Sequence, residues 1–300
     1  MRIGVHGRSM ASAMAPEVAR VLERMNAHGL QPCLDEDLTA WLTANGLSVK
    51  GGTLTRTAGR LKDIDMVLSL GGDGTFLDSV AMVGRAGIPV LGINLGRLGF
   101  LSSVPLEETD QAFEAISKGR FTLEERSVVQ VDGAAAQLGE RNFALNEVSL
   151  HKRDSSSMIT VHATVGDRFL NTYWADGLIV ATPTGSTAYS LSCGGPLLDP
   201  RCDSLVITPI SPHNLNVRPF VVPDHYPIRL IAEARGGKYL VNLDSRSVTL
   251  EASTELTITK APFSVQLVHL EGHDFMSTLR AKLIWGLDVR SAPPLLRPND

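Results

Sequence analysis

Three hundred residues suffice for one large domain or two ordinary ones, each able to bury a core. Hydrophobic residues make up 43% and charged residues 20%, a globular balance, and the formal net charge of −4 offers no basic field for nucleic acid or an anionic membrane. Cys33, Cys193 and Cys202 are odd in number and lack CxxC spacing, which argues against a disulfide framework and a zinc site and for a reducing compartment.

Ile3–His6 reads as a strand that opens the chain directly, without the n-region and h-region of a signal peptide. No apolar stretch approaches the ~20 residues of a membrane span, so the expected location is cytoplasmic. Val18, Val21, Leu22 and Met25 mark one face of a helix ending near Gly29. Residues 46–60 are Gly/Thr-rich with weak periodicity and read as a loop. Asp65–Leu70 is the next strand, Thr75–Gly84 a helix, and Ile88–Asn94 a further strand. This βαβ rhythm predicts a Rossmann-like parallel sheet covered by helices. Near Ser102 the texture changes. After a helix at about Leu106–Lys118, short alternating runs dominate, as in Ile159–Val165 before the turn Gly166-Asp167. Ser127–Val131, Asn146–His151, Gly177–Ala181, Leu205–Thr208, Pro227–Ile231, Tyr239–Leu243, Glu255–Thr259 and Phe263–Leu270 are the other strand candidates, predicting a β-sandwich-like domain. Phe275, Leu279 and Leu283, four apart, mark a last helix before a Pro-rich tail.

Leu70-Gly71-Gly72-Asp73-Gly74-Thr75 ends the apolar run Met66–Leu70. Glycines let the backbone turn sharply and let a ligand approach its amides, and open α/β sheets bind ligands at strand carboxyl ends. Asp73 there is a candidate general base beside a phosphate donor; the competing reading is a tight turn in which Asp73 caps the next helix. In a second block, Asp176-Gly177 opens a strand that runs into Thr182-Pro183-Thr184-Gly185-Ser186-Thr187-Ala188-Tyr189. Its hydroxyls and a helix N-terminus offer a phosphate seat, or ordinary capping by Ser186 or Thr187. Tyr189 fits either a stacking contact or the core. Asn146-Glu147 interrupts an apolar run and on its own reads as solvent-facing. A GxxxxGK[ST] loop, a GxGxxG after the first strand, a GxSxG elbow and HExxH are all missing from the sequence, which disfavours the corresponding enzyme classes.

In this order the three blocks resemble the NAD kinase family. Gly96–Leu101, Leu191–Pro196, Leu215–Pro219 and Asp244-Ser245-Arg246 continue the resemblance, which spans residues 65–285. The Gly-Gly-Asp-Gly turn alone is shared with diacylglycerol-type lipid kinases and loosely with phosphofructokinases; the Thr182–Tyr189 block with an upstream Asn-Glu is far more specific. The resemblance implies an α/β nucleotide-binding domain over 1–103, a β-rich NAD-binding domain over 104–273, and a helix at about 274–300 that packs back on the first domain. It implies ATP-dependent phosphorylation of the adenosine ribose 2′-hydroxyl of NAD to NADP, with Asp73 as base and Gly71, Gly72 and Thr75 in the phosphate loop. Gly74 would sit beside the ribose, Glu147 would hold ribose hydroxyls, Asn146 the adenine and Asp176 the nicotinamide end. Thr187, Ala188, Tyr189, Ser190, Leu191 and Ser192 would line the dinucleotide, with Ser157, Trp174, Ser211 and Arg246 nearby. Trp174 stands where many members carry a basic or polar residue, Ser245 where many have glycine, and Ser157 where some offer histidine. Mg²⁺ or another divalent ion would arrive with ATP rather than in a protein cage, and a homodimer or homotetramer is expected. The rivals are a lipid or sugar kinase, which leaves Asn146-Glu147 unexplained, and a non-catalytic dinucleotide sensor, which has no need of Asp73.

Overall fold

The computed structural model describes residues 1–8, 10–48, 50–57, 60–96, 99–153, 157–272 and 274–285. Its first layer is a mostly parallel sheet. β1 (Arg2–Gly7), β2 (Gln31–Leu34), β3 (Gly52–Thr53), β4 (Met66–Leu70) and β5 (Val90–Asn94) pair in the order β3-β2-β1-β4-β5, all parallel. Every residue of β4 and β5 is buried, which is why both read as unbroken apolar runs. Helix α1 (Ala15–Ala27) buries Val18, Val21, Leu22 and Met25, as its spacing predicts. Helix α2 (Glu36–Ala44) is capped by Asp35, which accepts the Leu38 amide at 2.6 Å. Helix α3 (Asp73–Val83) buries Phe76, Val80 and Val83, and α4 (Thr109–Ser117) buries Phe113 and Ile116.

The strand order places the site. From β1 the chain steps outward to β2 and β3, then returns to the other side of β1 as β4. The order therefore reverses between β1 and β4, and a crevice opens at their carboxyl ends, Gly7-Arg8 and Leu70-Gly71. Later parts of the chain extend this sheet: the short strand Val104–Pro105 on β5, and β6 (Thr122–Arg126) and β18 (Val265–His269), β18 lying parallel to β5 and antiparallel to β6. All three fall within 104–273, so that segment contributes to the first sheet as well as to its own layers.

Those layers are two antiparallel sheets packed face to face. One contains β7 (Val129–Asp132), β9 (Ile159–Val165), β10 (Arg168–Ala175), β14 (Ile228–Ala234) and β17 (Glu255–Lys260), with Phe143–Ala144 at one edge, in the order β7-β17-β14-β9-β10. The other runs β13-β12-β11-β8-β15-β16, from β8 (Glu147–Lys152), β11 (Gly177–Ala181), β12 (Ser204–Ile210), β13 (Phe220–Pro223), β15 (Lys238–Leu243) and β16 (Arg246–Glu251). Val161, Leu230 and Ile258 from the first face meet Val148, Leu178, Val180 and Val241 from the second in one core.

The expected parallel α/β layer and β-rich layer are both present, with local differences. Residues 46–60 carry β3 and a two-residue ladder of Arg56–Thr57 with Arg60–Leu61, pairings too short to leave a period. The strand expected at Ser127–Val131 starts two residues later, as β7 from Val129, and the residues before it end β6 at Arg126. The β9–β10 hairpin closes at Gly166-Asp167, with a register shift between Ala163 and Thr164. The last helix, α6, spans Phe275–Leu283; residues 286–300 of the expected range lie outside the described residues. Phe275 meets Phe100 at 6.5 Å between ring centroids, and Lys282 Nζ lies 4.6 Å from the same ring, so α6 rests against the loop after β5. Among the described residues no helix is long and apolar enough to cross a membrane.

Candidate active site

At the end of β4 the chain turns through Gly71, with φ +151, into α3. A Cβ on Gly71 would collide with the Thr75 side chain, so the turn itself requires glycine there. Gly72 is different: a Cβ would meet nothing within 4 Å. Folding does not demand glycine at that position, and the space is open to a ligand. Asp73 is the first residue of α3, and the helix has no side-chain cap, so the capping alternative does not hold. Its carboxylate reaches across the crevice. Oδ2 accepts the Phe100 amide at 2.9 Å, and Oδ1 accepts those of Leu101 and Ser102, each at 3.0 Å. Asp73 thus ties down the loop that follows β5. Arg97 and Leu98 of the expected loop lie outside the described residues.

A second aspartate does the same work in the sandwich. Asp244, between β15 and β16, sits at φ +52. Its Oδ2 accepts the Leu145 amide at 2.8 Å, and its Oδ1 accepts those of Asn146 at 2.8 Å and Glu147 at 3.2 Å. Burial pushes the Asp244 carboxyl up, against these three amides and Arg246, which pull it down. The corner is braced from the other side by the Thr182 block. Thr182 Oγ1 donates to the Leu145 carbonyl at 2.6 Å, and the Thr182 amide donates to the Asn146 carbonyl at 2.8 Å. Gly185 packs so closely on the Asn146 backbone that any Cβ would clash. So Asn146-Glu147 is not a solvent-facing pair. Asn146 is buried, and Glu147 Oε2 is sealed from solvent with no hydrogen-bond partner. Burial, with Asp244 adding, raises Glu147 to about 8.

The Thr182 block forms a short 3-10 turn, Thr184–Thr187, and then a four-residue helix, α5 (Tyr189–Ser192). Neither Ser186 nor Thr187 caps it. Their hydroxyls bond back to the Pro183 and Thr184 carbonyls at 2.6 and 3.0 Å. Ser190 is buried against Thr208 Oγ1 at 2.8 Å, and Ala188, Leu191 and Ser192 lie nearer the surface. Tyr189 stacks on His151, with ring centroids 5.7 Å apart and planes 14° off parallel. Burial raises its hydroxyl, with Cys193, Asp176 and Glu147 contributing in that order, so the two acidic residues and the ring share one neighbourhood. Lys152 Nζ pairs with Asp176 Oδ1 at 2.7 Å.

The remaining expected residues lie around this centre. Ser211, with φ +45, follows Ile210, whose carbonyl accepts the Asp176 amide at 3.0 Å. Trp174 is 44% exposed on β10, and its carbonyl accepts the His213 amide at 2.8 Å. Ser157 lines a hollow with His213 and Glu233 at the same end of that sheet. Arg246 donates to the Arg141 and Phe143 carbonyls and lies over the Phe143 ring at 5.1 Å. Its guanidinium therefore holds the strand leading into Asn146. A hollow of about 950 Å³ lies elsewhere, between Gly119–Glu124, Asp199 and Asp274–Met276, and contains none of the expected residues. Polar geometry at the two aspartates, rather than hollow size, marks the site. Asp244 is not among the residues to which the resemblance assigns a site role, although Asp244-Ser245-Arg246 is part of that resemblance. Sequence reasoning also missed Arg8 and Asp78, which meet beside Gly74.

Comparison with known proteins identifies the family and the fold. The ATP-NAD kinase N-terminal domain family matches residues 5–121, and the ATP-NAD kinase C-terminal domain family matches residues 145–270. An NAD kinase of Cytophaga hutchinsonii is 44% identical over 97% of this chain and all of its own length. One of Bacteroides fragilis is 43% identical over the same shares. The solved NAD kinase from Archaeoglobus fulgidus in complex with ATP is 26% identical, with a TM-score of 0.72, over 95% of this chain and 99% of its own. Yeast NADH kinase complexed with NADH has the same fold, with a TM-score of 0.82 at 23% identity, over 98% of this chain and 90% of its own. The chain belongs to the NAD kinase family.

Proposed function

We propose that the crevice between Asp73 and the Asn146-Glu147 corner phosphorylates the adenosine ribose 2′-hydroxyl of NAD with ATP, giving NADP and ADP. Family membership carries the overall reaction. The observation that carries the chemical assignment is the setting of Asp73. Three amides occupy three of a carboxylate's roughly four acceptor positions, which leaves one on Oδ2 for a substrate hydroxyl. The three bonds fix the carboxylate's orientation. In this reading the 2′-hydroxyl proton passes to Asp73 as the ribose oxygen bonds to the γ-phosphorus, and the bond from that phosphorus to the ADP oxygen breaks. A positioned base contributes about 10²–10⁴-fold. The open face of Gly72, beside Gly74, admits the phosphates, whose transfer depends on alignment and charge neutralisation. Mg²⁺ enters as part of the donor nucleotide, bound through its phosphates, and no protein residue is assigned to it.

Glu147 and Asn146 take the adenosine in the same reading. With Glu147 raised to about 8, its carboxyl is largely protonated near neutral pH and can donate as well as accept toward ribose hydroxyls. Asp176, oriented by Lys152, faces the nicotinamide end. Thr187 through Ser192 supply the wall between, with Tyr189 as its aromatic face. Ser157, Trp174 and Ser211 extend that wall, and Arg246 supports Asn146 from behind. Trp174 substitutes ring contact for a charged contact. The domain division at 103 and 273, a cytoplasmic location and a homodimer or homotetramer belong to the same reading.

The test is purified protein with NAD and MgATP, followed for NADP, with an NAD analogue lacking the 2′-hydroxyl as control. NADP from NAD and no phosphorylated product from the analogue are expected. Phosphorylation of diacylglycerol in preference to NAD would favour the lipid-kinase reading, and dinucleotide binding without turnover the sensor reading.

A further inference from the structure

The reaction needs a cation where the transferred phosphate sits, and the crevice holds a candidate that the motifs did not reveal. Arg8 immediately follows β1, at the carboxyl end of one of the two strands between which the sheet order reverses. Gly71–Gly74 follows the other strand. Arg8 Nε donates to Asp78 Oδ2, one turn along α3 from Gly74. Its Nη1 lies over Gly74, 3.4 Å from where a Cβ would be. Among the described residues Asp78 is the only side chain that Arg8 bonds. The guanidinium is thus held by one edge, with the other turned toward the glycine loop. Arginine's planar fork suits this division, one N–H for a carboxylate and a pair for a phosphate. Asp78 is itself held. Its Oδ1 accepts from Ser245 Oγ at 3.0 Å, and Ser245 is the neighbour of Asp244 in the sandwich. The Arg8 bond raises its guanidinium and, with Ser245, holds Asp78 low against the effect of burial, so both partners stay charged.

We propose that Arg8 binds the terminal phosphates of the donor nucleotide over Gly72–Gly74, and that Asp78 and Ser245 are positioning residues that aim it. The inference rests on the kinase reading above, and it adds a triphosphate contact supplied by the first strand. It also gives the sandwich a part in donor binding: the turn that clamps Asn146-Glu147 through Asp244 orients the phosphate cation through Ser245. Acceptor corner and donor cation are then set by adjacent residues of one turn.

Steady-state kinetics on the full chain test this, with MgATP varied at saturating NAD and the reverse, alongside calorimetric binding of MgATP and of inorganic tripolyphosphate. Arg8→Ala should raise the KM for MgATP by about tenfold to a hundredfold, the worth of one charge-assisted hydrogen bond, and weaken tripolyphosphate binding in step. The KM for NAD should stay within about twofold, and Arg8→Lys should recover part of the loss by keeping the charge without the fork. Ser245→Ala should raise the KM for MgATP by a smaller factor in the same direction. An unchanged KM for MgATP in Arg8→Ala would overturn the proposal. So would equal rises in both KM values with a lowered melting temperature, the mark of a mere latch between layers. If the wild-type protein makes no NADP, the kinase reading fails instead, and tripolyphosphate binding by wild type and Arg8→Ala still judges Arg8.

Discussion

Asp73 and Asp244 are built alike and are used differently. In each, Oδ1 accepts two consecutive backbone amides and Oδ2 accepts one, and the amides belong to a segment far away in sequence. Asp73 stands half-buried at the mouth of the crevice, on the first turn of a helix, beside Gly72, which faces open space. Asp244 carries its carboxylate into the interior, on a left-handed backbone, with Arg246 nearby and no open face. The same three-amide clamp is scaffold where it is sealed. Where an acceptor position remains open to the crevice, it becomes a candidate for chemistry. Exposure, not hydrogen-bond pattern, separates the two.

Substitution at the two clamps should separate turnover from stability. Asn keeps one oxygen for the paired amides and turns its NH₂ toward the third, so Asp→Asn loses one bond of three at either site. Asp73→Asn should cost about 10²–10⁴ in kcat, because it also removes the proposed base. Asp244→Ala removes all three acceptors from buried amides and should destabilise the fold by about 3 kcal/mol or more, measured by denaturant titration. If Asp73→Ala proves as destabilising as Asp244→Ala with only proportionate loss of turnover, the contrast between the clamps disappears.

The next effect depends on pH. Glu147 is raised to about 8 in the folded protein, above its value in the unfolded chain. Its contribution to stability is therefore fully present below about pH 4.5 and is lost as pH rises through about 8. Glu147→Gln removes that dependence. Its melting temperature should gain on the wild type between about pH 5 and about pH 9, and a constant difference across that range would count against the sealed setting of Glu147. The smallest effect belongs to the half-exposed Lys152–Asp176 pair. Lys152→Met should change stability by no more than about 1 kcal/mol while weakening NAD binding, and a large stability loss would make the pair part of the scaffold.

What the sequence made legible follows from how local each signal is. β4, its glycine turn and α3 are contiguous, and the apolar run and the spacing of Phe76 and Val80 declare them. The Asp73 and Asp244 clamps join residues 27–29 and 97–99 positions apart, so no spacing rule reaches them. Arg8 and Asp78 are 70 positions apart and meet only because β1 and β4 are neighbours. Asn146-Glu147 read as an exposed pair because its burial depends on Thr182, Gly185 and Asp244 arriving from elsewhere. Capping by Ser186 or Thr187 was a sound local expectation. It was overridden because each hydroxyl finds a carbonyl three residues back. α2, by contrast, was announced by Asp35 and the four-residue spacing of Leu38 and Leu42, and a closer reading of that stretch would have found it.

The central claim is that Asp73 does chemistry as well as holding the loop after β5. The most direct test measures NAD affinity by calorimetry and NADP turnover on the same preparation of Asp73→Asn. The account predicts NAD binding within a few-fold of wild type and turnover reduced by about 10²-fold or more. Turnover retained, or binding lost in step with turnover, would contradict it and leave Asp73 as scaffold like Asp244.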